Sequence, residues 1–166
     1  VAQRVTVQTF EVDGHSMNFS FQNGQRLIVN KVVYNFHEPE RGDVVILKPQ
    51  NDGPDDLIKR IIGLPGESIE IKDGIVYIHK GAGSVFPLDE PYIADPARQP
   101  FKGDIIPENA YFVLGDNRNN SSDSRQGWTL PRQDIIGKAW LSIWPSDMWG
   151  LAANYPLQEQ AESPAK

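Results

Sequence analysis

The chain has 166 residues and a net charge of −6 at pH 7, with 39% hydrophobic and 23% charged residues. This length and composition are typical of one globular domain with its own core, and the acidic balance disfavours binding to nucleic-acid phosphates. Cysteine is absent, which excludes disulfides, a thiolate nucleophile and cysteine-based metal sites.

Alternating and branched residues predict strands along the first part of the chain. Val5–Val12 alternates apolar and polar residues, the period of a strand with one covered face. Arg26–Tyr34 and Asp43–Leu47 are rich in branched residues and are predicted to be strands too. After a polar loop, Leu57–Gly63 is another β-type run, and it carries Lys59 among aliphatic residues.

The second half of the chain predicts a hairpin, an irregular excursion and two more strands. Asp73-Gly74 separates two alternating arms, the pattern of a hairpin with a two-residue type I′ turn. From Lys80 to Pro107, glycine, proline and polar residues interrupt every apolar run, which predicts a surface excursion. Ala110–Asp116 and Ile135–Trp144 are the last predicted strands.

These elements predict a mainly β fold of short antiparallel strands in one domain over residues 1–150, with residues 80–107 as a small insertion. The tail, residues 151–166, is rich in Ala, Gln, Glu and Pro and is predicted to be flexible. No run approaches the roughly 20 apolar residues that span a bilayer.

Ser16, just after Gly14-His15, and Lys59, inside an aliphatic run, are two unusual placements that suggest a common site. A serine hydroxyl becomes a good nucleophile when a nearby group accepts its proton, and a lysine accepts it when burial keeps the amine neutral. Strand alternation turns Lys59 and Arg60 to opposite faces, so the two charges lie in different environments and Lys59 can lose its water on one face. The ordinary alternatives are a turn serine and a solvated lysine. The histidines offer no obvious base, and neither a metal site nor a cofactor is predicted.

Four segments of the chain resemble the conserved boxes of bacterial type I signal peptidases (leader peptidases). They are G-H-S-M from Gly14, R-G-D-V-V from Arg41, K-R-I-I-G-L-P-G-E from Lys59 and G-D-N-R-N-N-S-S-D-S-R from Gly115. A match to any one box is weak evidence for the family, but matches to all four boxes in this order are very specific. The resemblance implies a signal-peptidase-like complex β fold or barrel, and a serine endopeptidase that removes signal peptides from secretory preproteins.

The resemblance also implies a role for individual residues. Ser16 attacks the scissile carbonyl, Lys59 is general base and then general acid, and Ser121 orients the lysine amine through a hydrogen bond. The backbone N–H of Ser16 is the expected oxyanion donor, because Gly14 stands where some members have a second serine. Five residues of the G-D-N-R box are expected to support the site: Asp116, Asn117, Arg118, Asp123 and Arg125. Asp123 and Arg125 are expected to pair with each other.

The family cleaves after small residues at P1 and P3, the Ala-X-Ala rule, and binds its substrate as an extended strand. The matching edges are Thr9–Gly14 and Asp56–Lys59. In place of the family's x-Pro-Thr-Leu after Ser-Met, this chain has N-F-S-F over residues 18–21, which changes the expected pocket wall. Six residues are candidate pocket walls, with core packing as the alternative for each: Phe10, Val12, Met17, Phe21, Leu57 and Ile58.

Members of the family act at the cell membrane, with the catalytic domain outside the cytoplasm. A transmembrane anchor is expected to precede Val1 and to be absent from this chain. Trp140, Trp144 and Trp149 are expected to touch the lipid headgroups, the alternative being a core strand and an exposed turn.

Two other functions compete with signal-peptide cleavage. Repressor-type autopeptidases use the same Ser/Lys pair, but they need a DNA-binding domain and an upstream Ala-Gly or Cys-Gly site, which this sequence lacks. An impaired β-rich module that binds extended peptides without cutting them is favoured only by Phe19 and Phe21.

Overall fold

The structure, a computed structural model, describes residues 6–154. Within that range the chain forms twelve strands in two antiparallel sheets and five short 3-10 helices. The mainly β fold class is therefore confirmed. The strands are β1 (Val7–Glu11), β2 (Arg26–Asn30), β3 (Val44–Leu47), β4 (Leu57–Gly63), β5 (Ser68–Lys72), β6 (Ile75–His79), β7 (Val85–Pro87), β8 (Phe101–Lys102), β9 (Ala110–Leu114), β10 (Leu130–Pro131), β11 (Ile135–Trp144) and β12 (Gly150–Leu151). The 3-10 helices are Val33–Asn35, Gly81–Gly83, Ser124–Gln126, Arg132–Asp134 and Ser146–Met148.

The larger sheet has the order β1-β2-β11-β3-β4-β9-β10, with β12 added to β11. Strand β3 lies in the middle of this order, and all four of its residues are buried. A strand buried on both faces is a continuous apolar run, which explains the sequence V-V-I-L. Strand β1 is at the end of the order, so one of its edges has no partner strand within the described residues.

The smaller sheet, β7-β6-β5-β8, is built on the predicted hairpin. Asp73 and Gly74 have φ values of 53° and 79°, the positive values that a type I′ turn requires, so the hairpin is confirmed. Strands β7 and β8 come from the predicted excursion and pair with the two edges of the hairpin. One hydrophobic cluster joins residues of this sheet to Ile62 on β4 and Phe112 on β9, so the two sheets share a core.

Two predicted strands end earlier than their sequences indicate. The strand predicted over Arg26–Tyr34 ends at Asn30, because the Asn30 side chain accepts hydrogen bonds from the next two free backbone N–H groups and bends the chain. The strand predicted to reach Asp116 ends at Leu114, because the N–H of Gly115 donates to the Asp123 carboxylate instead of to a neighbouring strand.

The first residues of the predicted flexible tail are packed against the sheet. The Asn154 side chain accepts from the backbone N–H of Val44 and donates to the carbonyl of Ala139. The Ala153 carbonyl accepts from buried Arg60. The tail prediction is therefore wrong for residues 151–154, and residues 155–166 lie outside the described part. Within residues 6–154, no helix combines the length and apolarity needed to cross a membrane.

Candidate active site

Ser16 and Lys59 meet in the structure although 43 positions separate them. Ser16 lies in the turn between β1 and β2, and Lys59 lies on β4. The Lys59 Nζ atom is 2.8 Å from the Ser16 Oγ atom, within hydrogen-bonding distance. Lys59 is only 3% exposed, whereas Ser16 is half-buried. The pair therefore combines a shielded amine with an accessible hydroxyl.

Burial lowers the pKa of Lys59 to about 8. Removal of water from around the ammonium is the largest cause, and the carboxylates of Asp123 and Asp116 act in the opposite direction, stabilising the charged form. Because an amine is neutral above its pKa, roughly one tenth of the Lys59 side chains are neutral at pH 7. An ordinary lysine at that pH is almost entirely charged.

The turn that carries Ser16 is held by the loop that follows β9. The backbone N–H of Asn117 donates to the Ser16 carbonyl at 2.8 Å, and the Asn117 side chain donates to the His15 carbonyl at 2.9 Å. On the other side of the turn, the N–H of Gly14 donates to the side chain of Asn23 at 2.9 Å. Sequence reasoning missed Asn23, for which the Asn-Gly pair at a turn is the only local signal.

The residues after Ser16 divide between the core and the surface. Met17 and Phe21 are fully buried at 0% and 1% exposure and anchor the turn in the core. Phe19, at the family's proline position, is 73% exposed. The two phenylalanines that replace the family pattern therefore lie in opposite environments.

A buried ion pair lies behind Lys59. The Arg60 guanidinium makes two hydrogen bonds to the Asp116 carboxylate, at 2.9 and 2.6 Å, and both side chains are 0% exposed. Its remaining donors reach the carbonyls of Gly42 and Ala153, and it stacks over the ring of Tyr92 at 4.0 Å. Arg60 therefore ties β4 to the loop of Asp116 and to the excursion.

The other residues predicted to support the site are paired as well. Asp123 and Arg125 form a two-point ion pair, and Asp123 also accepts from the N–H of Gly115. Arg118 donates to the Gly115 carbonyl and forms a two-point ion pair with Glu90 from the excursion. Sequence reasoning missed Glu90 and Tyr92, since nothing local relates the excursion to this loop.

Ser121 is at the site but does not make its predicted contact. Its Oγ atom is buried and has no hydrogen-bond partner within the described residues, so the predicted bond to Lys59 is not formed. The side chain packs instead against Gly115, where an added Cβ would lie 2.1 Å from Ser121 Oγ and 2.6 Å from the Ser16 carbonyl. Only glycine fits at position 115 in this arrangement.

A cavity of about 700 Å³, here called the catalytic cavity, contains Ser16, Lys59 and Ser121 in its lining. Of the six candidate pocket residues, Leu57 lines this cavity, and Phe10 and Val12 line a neighbouring one of about 520 Å³. The other three line neither cavity and belong to a cluster of buried hydrophobic residues that also includes Val12: Met17, Phe21 and Ile58.

The family model described as signal peptidase, peptidase S26, matches residues 1–144 of the chain. The chain belongs to this family. Signal peptidases cleave signal peptides, so the chain is a peptidase and its substrates carry signal peptides. The resemblance found in the four sequence boxes is confirmed.

Individual relatives agree with the family model. The chain is 39% identical over 151 residues to probable signal peptidase I-1 of Synechocystis sp., covering 87% of this chain and 74% of the relative. It is 39% identical over 146 residues to signal peptidase I of Leptolyngbya laminosa, covering 84% of this chain and 70% of that one. Among solved structures, signal peptidase I of Enterococcus faecalis V583 matches with a TM-score of 0.53 and 31% identity, over 61% of this chain and 97% of that one.

Proposed function

We propose that this signal peptidase is a serine endopeptidase in which Ser16 is the nucleophile and Lys59 is the general base. The observation that carries the proposal is the 2.8 Å approach of a buried amine to a half-buried serine hydroxyl. Burial lowers the pKa of Lys59, which supplies the neutral amine that proton transfer requires. No histidine lines the cavity beside Lys59 except His15, which is exposed.

The reaction follows from this geometry in two steps. Neutral Lys59 takes the proton of Ser16 as Oγ attacks the scissile carbonyl, and then gives that proton to the leaving amine, which leaves an acyl ester on Ser16. Lys59, neutral again, takes a proton from a water molecule whose oxygen attacks the ester carbonyl, and returns that proton to Ser16 Oγ as the acid product leaves. The backbone N–H of Ser16 donates no hydrogen bond within residues 6–154 and is available to the developing oxyanion.

Two free strand edges support an extended substrate at this site. Among residues 6–154, strand β1 has one unpaired edge, and residues Leu57–Lys59 of β4 pair with β3 on one side only, since the β9 pairing begins at Arg60. Backbone groups on both edges can therefore bond a peptide laid between them. In this pose P1 lies beside Ser16 and Lys59, and small residues at P1 and P3 follow the family's Ala-X-Ala rule.

A preprotein peptide with one Ala-X-Ala site is expected to be cut once, after the second alanine. Replacing the P1 alanine by leucine should lower kcat/KM by about 100-fold or more, because a bulky group cannot approach the closely packed turn of Ser16. The matched control is the same replacement at P2, whose side chain points away from the pockets. Mass spectrometry of the products gives the cleavage site.

Equal cleavage of the P1 and P2 variants would contradict the specificity. Affinity without turnover would instead support the peptide-binding module, and cleavage of the chain itself would support the autopeptidase.

We infer in addition that the end of β11 and the turn after it contact the surface of a lipid bilayer. Trp144 and Trp149 are 57% and 72% exposed, and Leu151 is 79% exposed. Trp140, on the same strand, is 46% exposed, so the alternative of a buried core strand does not hold for these side chains. Indole rings favour the headgroup layer, where an apolar body and an N–H donor are both satisfied.

Adding vesicles with one third anionic lipid is expected to shift the tryptophan fluorescence to the blue and to pellet the protein. A Trp144→Ser and Trp149→Ser double variant should lose most of the pelleted fraction, because each indole contributes about 1–2 kcal/mol of apolar burial. The control is Phe36→Ser. This side chain is also exposed, at 84%, but it follows the 3-10 helix Val33–Asn35 and is not part of β11 or the turn after it. Unchanged pelleting of the double variant would contradict this contact surface.

A further inference from the structure

Three cavities lie end to end along the proposed substrate groove. The catalytic cavity, with Ser16 and Lys59, is in the middle. At one end it shares Asp13 with the cavity of about 520 Å³. At the other end it shares Asn119, Ser121 and Gln126 with a third cavity, of about 400 Å³. A peptide cut at Ser16 therefore has space on both sides of the cleaved bond.

The two end cavities carry opposite charges. Four carboxylates and no basic side chain line the first, here called the carboxylate cavity: Glu11, Asp13, Asp55 and Asp56. Three arginines and no carboxylate line the third, here called the arginine cavity: Arg98, Arg118 and Arg125. The side chains that line the two ends of the groove therefore bear opposite charges, although the whole chain is acidic.

The arginines differ in how far their charge is available to a ligand. Arg118 and Arg125 are held in ion pairs with carboxylates that lie outside the cavity lining. Arg98 is 74% exposed, and its partner Asp95 is 55% exposed, three residues earlier in the chain. Such exposed pairs are weak, so Arg98 can exchange Asp95 for an incoming carboxylate at little cost. Arg98 is thus the main positive charge that a peptide meets there.

The direction of the substrate follows from the proposed function, on which this inference rests. Residues before the cut pair with the free edges of β1 and β4, and the carboxylate cavity lies beside these strands, since Glu11 of β1 and Asp56, the residue before β4, line it. The chain after the cut must then leave past Ser16 toward Asn119 and the arginine cavity. We propose that this cavity is the subsite for the first residues of the mature protein, and that it favours acidic side chains there.

The preference is tested with peptides that share one Ala-X-Ala site and differ only at the second and third residues after the cut, Glu-Glu or Lys-Lys. The full chain is expected to cleave the Glu-Glu peptide with a kcat/KM about two- to fivefold higher, the range of one exposed charge interaction. The ratio should fall toward one in about 1 M NaCl, because salt screens exposed charges. Arg98→Glu should reverse the ratio.

Lys102→Glu is the matched control, since it makes the same charge change at an exposed residue that lines none of the three cavities. It should keep the wild-type ratio. Equal cleavage of the two peptides by the wild type, or a ratio that Arg98→Glu leaves unchanged, would overturn the subsite. Failure to cleave either peptide would count against the proposed peptidase function itself, so the two failures are distinguishable.

Discussion

Lys59→Met is expected to abolish cleavage of an Ala-X-Ala preprotein, lowering kcat by about 10³-fold or more. Methionine keeps an unbranched side chain of similar length in a site that is 3% exposed, so the fold should survive. What is lost is the only amine within hydrogen-bonding distance of Ser16 Oγ in the described residues. Without it, the hydroxyl proton has no acceptor when the oxygen attacks.

Ser16→Ala should cause a loss of the same size, and the double variant should be no worse than either single one. Residues that act as one catalytic unit are not additive, so this pattern separates a dyad from two independent contributions. The control is Lys48→Met, an exposed lysine just after β3. Rates are measured on a preprotein peptide, and circular dichroism checks the fold. Near-normal turnover in either single variant would show that Ser16 and Lys59 do not act as a catalytic dyad.

Asp116→Ala is expected to lower the free energy of unfolding by about 3–5 kcal/mol, because it removes the carboxylate that makes two hydrogen bonds to the buried Arg60 guanidinium. Both side chains are 0% exposed, and the Arg60 carbonyl partners cannot replace a negative charge. The control is Asp95→Ala, which breaks the exposed pair with Arg98 and should cost at most about 1 kcal/mol.

Urea denaturation at neutral pH measures both variants. A loss below about 1 kcal/mol for Asp116→Ala would show that Arg60 is not held as the structure has it. Because Asp116 also stabilises the charged form of Lys59, a folded variant should have an even lower lysine pKa.

Local sequence patterns predicted the strands and turns whose conformation depends on neighbouring residues. The type I′ turn at Asp73-Gly74 requires positive φ at both residues, and few other residue pairs adopt this conformation. The hairpin could therefore be predicted from these two residues. The strand carrying Lys59 was readable from its aliphatic run. The proposed partnership of Lys59 with Ser16 came from the resemblance, since no sequence period relates residues 43 positions apart.

Contacts that depend on tertiary placement could not be predicted in this way. An apolar residue near a nucleophile suits a pocket wall and a core equally, and only the packed structure assigns Met17 to the core. Glu90 looked like a surface residue of an irregular segment, yet it neutralises Arg118. Asn154 sits in a stretch with the composition of a flexible tail, but its amide bonds two backbone groups of the sheet.

The protonation state of the Lys59 amine can be measured in the intact protein. A chain labelled with ¹⁵N at its lysine Nζ atoms can be titrated by NMR, and the Lys59→Met variant identifies the signal. We expect a midpoint near 8 for Lys59, with kcat/KM rising as pH increases through the same value, since only the neutral amine accepts the serine proton. A midpoint near 10.5, the ordinary value for lysine, would contradict this expectation.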